Sequence, residues 1–434
     1  MRLRIEGLAY GGEGVAHLET GQAAFVAGSC PGDLVDVEIT SSHKRLVKAK
    51  VTAVIEASPQ RVEAPCPYFG ECGGCQWQHV SYGTQLSAKR SAVRDALTRI
   101  GKIPAEDLVA ESIASPAQYG YRNKIELLAE ETPSGTVLGF AKLGTVELVP
   151  IDACMLVDAR AQRLPSSLRG ALRYVSGSQQ LGLSRVGIRV ARSTKDLEVA
   201  LWTSPGPFPR QLAARTLAQG TGATNIVRVL TKGPAEQRHV TKVEVFSGPG
   251  AWSERFLGQR MLVSAPSFFQ VNTAVAEKLV KHVLGKMQVD GTDRVLDLFS
   301  GAGTFTLPLA EQAGEVVAVE SSRHALNDLR RNLESAQLDA VVEPGDAAYV
   351  LPGLGRFDSA VVDPPRTGLG APTVLALVSA RPRRIAYVSC DPATLARDAK
   401  TLTESGYRLV EATPVDLFPQ TFHVETVAIF DLSE

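Results

Sequence analysis

From residue 264 the chain alternates short apolar runs with helical patterns, and that alternation fits a doubly wound α/β sheet. Strands are expected at 294–299, 316–319, 340–342, 357–362, 384–388 and 424–430, with a helix over 305–313. Parallel strands need crossover helices, and ligands of such sheets bind beyond the carboxyl ends of the strands. The chemistry is therefore sought where these runs stop.

The first strand stops at Ser300-Gly301-Ala302-Gly303-Thr304, a tight glycine turn that opens a helix. Glu320 ends the next strand about twenty residues on, where a carboxylate can accept hydrogen bonds from ribose hydroxyls. The third glycine of a dinucleotide fingerprint is absent, because Thr306 stands in its place. With Asp297 inside the strand before the turn, and Asp346 further on, the layout matches S-adenosylmethionine better than a pyrophosphate cofactor. The competing reading is a tight βα turn flanked by surface acids.

Two later stops carry reactive groups. Asp363-Pro364-Pro365-Arg366 ends the fourth strand in a loop stiffened by its prolines. It can place Asp363 between cofactor and substrate and aim Arg366 at a phosphate or carbonyl. Ile385 to Val388 is an apolar strand that stops at Ser389-Cys390-Asp391-Pro392. Asp391 suits an N-cap and Pro392 the first helical position. Leu395, Ala399 and Leu402 then recur at helical spacing. Cys390 thus precedes a helix N-terminus, where free N–H groups and the dipole favour a thiolate. A lone cysteine here reads equally as a small buried residue. In the last strand, Glu425 interrupts an apolar run. It is either exposed at the strand start or held in a cleft, as a general base requires. His423 shares its face and reads as a strand cap.

The chain has 434 residues, enough for two or three domains, and 44% of them are hydrophobic. Lys+Arg and Asp+Glu both number 46, so net charge neither indicates nor excludes a nucleic-acid partner. No long apolar run opens the sequence and none reaches membrane-spanning length, which points to a cytoplasmic protein. Residues 1–58 carry short strand-forming runs at 23–26, 34–39 and 48–55, separated by glycine turns, as in a five-stranded OB-type barrel. His43, Lys44, Arg45, Lys48 and Lys50 form its densest basic patch: an RNA-binding groove or a solvated strand edge.

Cys66, Cys72 and Cys75 follow, interleaved with glycines, and Cys154 is the candidate fourth ligand. Four thiolates suit tetrahedral zinc or an iron–sulfur cluster, and the spacing departs from a zinc ribbon. An amphipathic helix is expected over 80–100. Leu86, Val93, Leu97 and Ile100 line one face, with Lys89, Arg90 and Arg94 opposite and Gly101 as the stop. Residues 59–263 otherwise read as a mixed, β-rich central domain that holds the cysteine site. Its strands are expected at 124–128, 137–143, 186–190, 197–203, 225–230 and 242–246. Tyr121-Arg122-Asn123-Lys124 is either an RNA contact or a strand start.

Taken together, Asp363-Pro364-Pro365-Arg366, Ser389-Cys390-Asp391-Pro392-Ala393-Thr394-Leu395-Ala396-Arg397-Asp398, Ser267-Phe268-Phe269-Gln270-Val271-Asn272 and His423-Val424-Glu425 resemble the RNA 5-methyluridine methyltransferase family. The resemblance covers nearly the whole chain. It implies a TRAM barrel at 1–58, a central domain at 59–263 with a [4Fe–4S] cluster on Cys66, Cys72, Cys75 and Cys154, and a Rossmann-like methyltransferase domain at 264–434. It further implies that Cys390 is the nucleophile and Glu425 the base. Gln270, Phe299, Thr304, Glu320, Asp346 and Asp363 would hold S-adenosylmethionine. Phe268, Arg122 and Arg366 would face the RNA. The family often carries Asn where this chain has Thr304. The barrel and the cysteines are similar to the bacterial ribosomal RNA branch, which implies 23S ribosomal RNA as the substrate; a monomer is expected.

The chemistry suits the residues. Uracil C5 becomes nucleophilic once a thiolate adds at C6, and the base must leave its stack to be reached. The competing readings are the same reaction on transfer RNA and a non-catalytic RNA-binding protein. RNA cytosine methylation normally uses two cysteines. Radical chemistry normally needs C-x3-C-x2-C, and neither pattern is present.

Overall fold

The computed structural model describes residues 1–177, 179–234 and 238–433. It divides into two compact units. Unit 1 comprises Met1–Gln118, Pro365–Ala371 and Tyr387–Glu434; unit 2 comprises Tyr119–Pro364 and Pro372–Ala386. This division cuts across the three domains expected from the sequence.

Unit 1 begins with β1 (Arg2–Arg4), β2 (Gly7–Leu8), β3 (Gly14–His17), β4 (Ala23–Ala27), β5 (Leu34–Ser42) and β6 (Leu46–Glu56). Their order is β1-β5-β6-β4-β3-β2. β1 and β2 are successive pieces of one segment that pairs with β5 at one end and β3 at the other, so the sheet closes. Counted once, that segment gives a five-stranded barrel. Strand alternation fills it: Leu3, Ala24, Val26, Val35, Val37 and Ala49 point inward, while Lys48 and Lys50 face solvent. A connection follows in which Arg61 donates to Asp33 and to the Gly28 carbonyl.

Helix α1 (Tyr82–Arg99) departs from the expected facing. Lys89, read as a solvent-side residue, is 1% exposed, because its ammonium meets Asp416 at 2.5 Å and the Phe418 carbonyl at 3.0 Å. Ile100 lies past the last turn as the C-cap and is 44% exposed. Gly101 is required. A Cβ there would sit 2.6 Å from the Leu97 carbonyl oxygen and 3.2 Å from that of Ala396.

Unit 2 opens with β7 (Lys124–Thr132), β8 (Gly135–Ala141), β9 (Leu148–Pro150), α2 (Leu164–Ser176), β10 (Leu183–Val190), β11 (Leu197–Thr203), α3 (Arg210–Thr221), β12 (Asn225–Lys232) and β13 (His239–Ser247). The sheet order is β13-β12-β11-β10-β7-β8-β9, antiparallel except for β11 with β12. The six expected strands are all present. The hairpin β14 (Trp252–Phe256) and β15 (Gln259–Val263) leads to α4 (Thr273–Met287).

The α/β portion then runs through β16 (Arg294–Leu298), α5 (Thr306–Ala310), β17 (Glu315–Glu320), α6 (Arg323–Ala336), β18 (Val341–Pro344), α7 (Ala347–Val350), β19 (Ser359–Val362), α8 (Gly370–Ser379) and β20 (Arg384–Ser389). Within unit 2 the order is β18-β17-β16-β19, all parallel. β20 passes into unit 1 at Tyr387, followed there by α9 (Pro392–Glu404), β21 (Tyr407–Val415) and β22 (Glu425–Leu432). β21 and β22 pair antiparallel. Among the described residues no helix is long and apolar enough to cross a membrane.

Candidate active site

In unit 2 the chain turns sharply after β16. Phe299 has φ +63°, Gly301 +56° and Gly303 +102°. A left-handed Phe is costly and persists where its surroundings fix it. At Gly303 a Cβ would meet Leu307 Cδ1 at 2.4 Å, while nothing lies within 4 Å of the Cβ position at Gly301. The Glu320 carboxylate accepts from Gly301 N–H at 2.9 Å and Ser322 N–H at 2.6 Å, tying the end of β17 to the turn. Asp297 is fully buried, and Thr306 Oγ1 donates to its Oδ2 at 2.6 Å. Burial pushes Asp297 up to about 7. Burial and the charge of Asp297 likewise raise Asp363. Asp297 Oδ1 and Ser300 Oγ are buried with no hydrogen-bond partner among the described residues. Such orphaned polar atoms beside an open glycine turn fit a bound polar ligand. Raised carboxyl groups fit a cationic one, because a positive charge favours their ionised forms. Asp346 caps α7 by accepting from Ala348 N–H at 2.9 Å and is exposed.

In unit 1, β20 delivers Cys390 to the start of α9, as its sequence dictates. Asp391 Oδ1 accepts from Ala393 and Thr394 N–H at 2.9 and 3.0 Å, so Asp391 is the N-cap. Cys390 is half-buried. Thr394 Oγ1 donates to the Arg366 carbonyl at 3.2 Å, and Arg397 to the Thr367 carbonyl at 2.8 Å. These bonds hold the loop after the paired prolines against α9, with the Arg366 side chain exposed. Glu425 opens β22 opposite Val415 and is 3% exposed. Of the two settings the sequence allowed, it takes the buried one. The His423 ring stacks on Phe422 at 4.2 Å.

A family model described as tRNA (Uracil-5-)-methyltransferase matches residues 258–343 and 354–431, and a TRAM domain model matches residues 1–52. An uncharacterised RNA methyltransferase of Thermosynechococcus vestitus is 34% identical over 450 residues, covering 100% of this chain and 98% of the relative. One from Gloeobacter violaceus is 36% identical, covering 99% and 96%. The chain belongs to the RNA uracil-5-methyltransferase family. The crystal structure of a Pyrococcus abyssi tRNA (uracil-54, C5)-methyltransferase in complex with S-adenosyl-L-homocysteine superposes with a TM-score of 0.77 at 27% identity. It covers 99% of this chain and 100% of that one. As a uracil-5-methyltransferase with a TRAM domain, this chain is an RNA-modifying enzyme.

The segment of this methyltransferase that carries Phe268 and Gln270 is held by groups the sequence did not reveal. Phe268 is 66% exposed and Gln270 6%. Asn123 Nδ2 donates to the Gln270 carbonyl at 2.8 Å and to Thr273 Oγ1 at 2.9 Å. Arg189 donates to the Ser264 carbonyl at 2.8 Å and to that of Ser267. Asp328 accepts from Ser264 N–H and Oγ at 2.8 and 2.7 Å. Arg189 sits in a cross-strand row, Lys124, Arg189, Glu198 and Asn225, set by register. Tyr121-Arg122-Asn123-Lys124 leads into a strand, since β7 begins at Lys124, and Asn123 is buried. Arg122 is half-buried, and its backbone N–H donates to the Leu156 carbonyl at 2.8 Å. Phe299 and Thr304 are half-buried in the turn itself.

The four-cysteine expectation finds no support. Among the described residues no group of three or more His, Cys, Asp or Glu is arranged to hold a metal ion. Cys66, Cys72 and Cys75 belong to the connection before α1 in unit 1, and Cys154 belongs to unit 2. Gly74 N–H donates to Cys72 Sγ at 3.4 Å.

Proposed function

We propose that this enzyme methylates uracil C5 in RNA, with 23S ribosomal RNA as substrate, through a transient bond between Cys390 and the base. The observation that carries the reading is Cys390 itself: half-buried, at a strand end, before a helix capped by Asp391. Bound S-adenosylmethionine supplies the methyl group. In unit 2 the Phe299–Thr304 turn, Glu320, Asp346 and Asp363, together with Gln270, hold that cofactor, and the orphaned Asp297 and Ser300 atoms gain partners when it binds. The exposed Phe268 stacks on an unstacked base, and Arg122 and Arg366 meet the RNA backbone.

The Cys390 thiolate adds to uracil C6, and the C5–C6 π electrons move toward the C4 carbonyl. C5 then takes the methyl group from the sulfonium sulfur, whose S–CH3 bond breaks with the electron pair staying on sulfur, so that S-adenosylhomocysteine is the leaving group. The Glu425 carboxylate accepts the C5 proton, the C6–S bond breaks, and the thiolate and the aromatic ring system are restored.

The experiment incubates wild type and Cys390→Ala with labelled S-adenosylmethionine and unmodified ribosomal or transfer RNA, then identifies the labelled nucleoside. 5-Methyluridine in ribosomal RNA with wild type alone is the expected result. A second reading, transfer RNA as substrate, is favoured by the likeness to the P. abyssi tRNA (uracil-54, C5)-methyltransferase, which covers 99% of this chain. Label in transfer RNA alone selects it. An active Cys390→Ala protein overturns the mechanism.

A further inference from the structure

Within unit 1 the N-terminal barrel reaches the cysteine loop through one side chain. Tyr10 lies at the turn between β2 and β3. Its hydroxyl is 3.3 Å from Asp391 Oδ2 and 3.4 Å from the Cys390 carbonyl oxygen. A phenol has one proton to give, and the charged carboxylate is the stronger acceptor. Asp391 is therefore held on both oxygens: Oδ1 by the first turn of α9, Oδ2 by the barrel.

The turn that carries Tyr10 is itself fixed. Trp77, 2% exposed, donates its indole N–H to the Gly12 carbonyl at 3.0 Å. Gly12 has φ +99°, and a Cβ there would lie 2.9 Å from Gln76 Cβ and 3.3 Å from the Phe422 ring. The Tyr10 ring meets Phe422 edge-on, centroids 5.4 Å apart. Tyr10 is 36% exposed; the burial it does have, then the Asp391 charge, raise its pKa, which favours the protonated, donating hydroxyl. Its hydroxyl is spent on the cap beside the nucleophile.

We infer that Tyr10 is a positioning residue for Cys390: the barrel fixes the Asp391 cap, and through it the backbone that presents the thiol. The TRAM barrel then contributes to the chemical step and not to RNA affinity alone. This rests on the reading of Cys390 as the nucleophile.

Tyr10→Phe tests it, because the ring and its Phe422 contact stay while the hydroxyl goes. One charge-assisted hydrogen bond lost from the site lowers kcat about tenfold, with the KM for RNA changed by less than about twofold. Alkylation of Cys390 by iodoacetamide slows in parallel, since the carboxylate beside it loses its donor. Asp391→Ser keeps a capping oxygen but removes Oδ2, and in that background Tyr10→Phe costs less than about twofold. Unchanged kcat in Tyr10→Phe overturns the inference. So does a raised KM at constant kcat, which makes Tyr10 an RNA contact. The nucleophile reading fails separately, if Cys390→Ala retains activity. An inactive Cys390→Ala beside a fully active Tyr10→Phe removes the present inference alone.

Discussion

Replacing Lys89 by methionine isolates the energy of one buried ion pair. The lysine and Asp416 side chains are both 0% exposed, and Asp416 Oδ2 has no partner among the described residues. Burial lowers the lysine pKa, and the Asp416 charge opposes that shift. The methionine fills most of the lysine volume beside Trp77, so the cavity contribution is small. What remains is a carboxylate stripped of its cation and a Phe418 carbonyl stripped of its donor. Breaking a buried pair by removing one partner costs about 3–5 kcal/mol. At roughly 2–4 °C per kcal/mol for a body of this size, Lys89→Met lowers the apparent melting midpoint by about 6–20 °C. The assay is thermal denaturation followed by circular dichroism, at one scan rate and protein concentration. Lys89→Met with Asp416→Leu removes both charges and recovers most of the loss. A single mutant melting within about 2 °C of wild type refutes the reasoning, because the pair then carries no net energy.

Asp297 titrates at about 7 against an ordinary 3.8, so between those values the folded chain keeps a proton that the unfolded chain has lost. Its stability cost therefore grows as pH rises through that window. Asp297→Asn accordingly stabilises the protein more at pH 8 than at pH 4, as denaturant titrations at the two pH values check. Burial pushes Asp33 up, but hydrogen bonds from Arg61 and from the Ser58 and Cys30 N–H groups outweigh it and hold the carboxyl below its usual range. Arg61→Met thus costs about 1.5–3 kcal/mol at pH 7, and the deficit shrinks as acid protonates Asp33 in both proteins. Glu425→Gln lowers turnover by about 10²–10⁴-fold and leaves a Cys390-linked RNA adduct visible on a denaturing gel. Full turnover by Glu425→Gln refutes its role as base.

What the sequence revealed was local. The barrel strands, the parallel run of unit 2 and the Asp391 cap follow from alternation, turn residues and a contact two or three positions away. Facing failed where a distant partner decided it. Lys89 reads as a solvent residue on a helical wheel, yet Asp416, 327 positions later, gives its charge a buried partner. Arg189 and Lys124 read as ordinary strand residues, yet β-sheet register sets them in one row with Glu198 and Asn225. The helices α2 and α3 and strand β21 were not expected. For α2 and α3 the reason is plain: they lie between strands whose β pattern dominated the reading of that region.

Asp391 shows the boundary between the two kinds of information within a single side chain. Its Oδ1 bonds lie two and three residues away and follow from Ser-Cys-Asp-Pro as a strand-to-helix junction. Its Oδ2 partner lies 381 positions earlier, in a turn whose glycines announce only a reversal of the chain. A cap needs one oxygen to stop a helix from fraying. The second oxygen is free to accept another donor, and here the barrel supplies it. The cap oxygen sets the helix, and the second oxygen joins the barrel to the residue that precedes that helix. Substitutions that keep the first and remove the second therefore separate folding of α9 from presentation of Cys390, which is why Asp391→Ser belongs beside Tyr10→Phe in the same set of measurements.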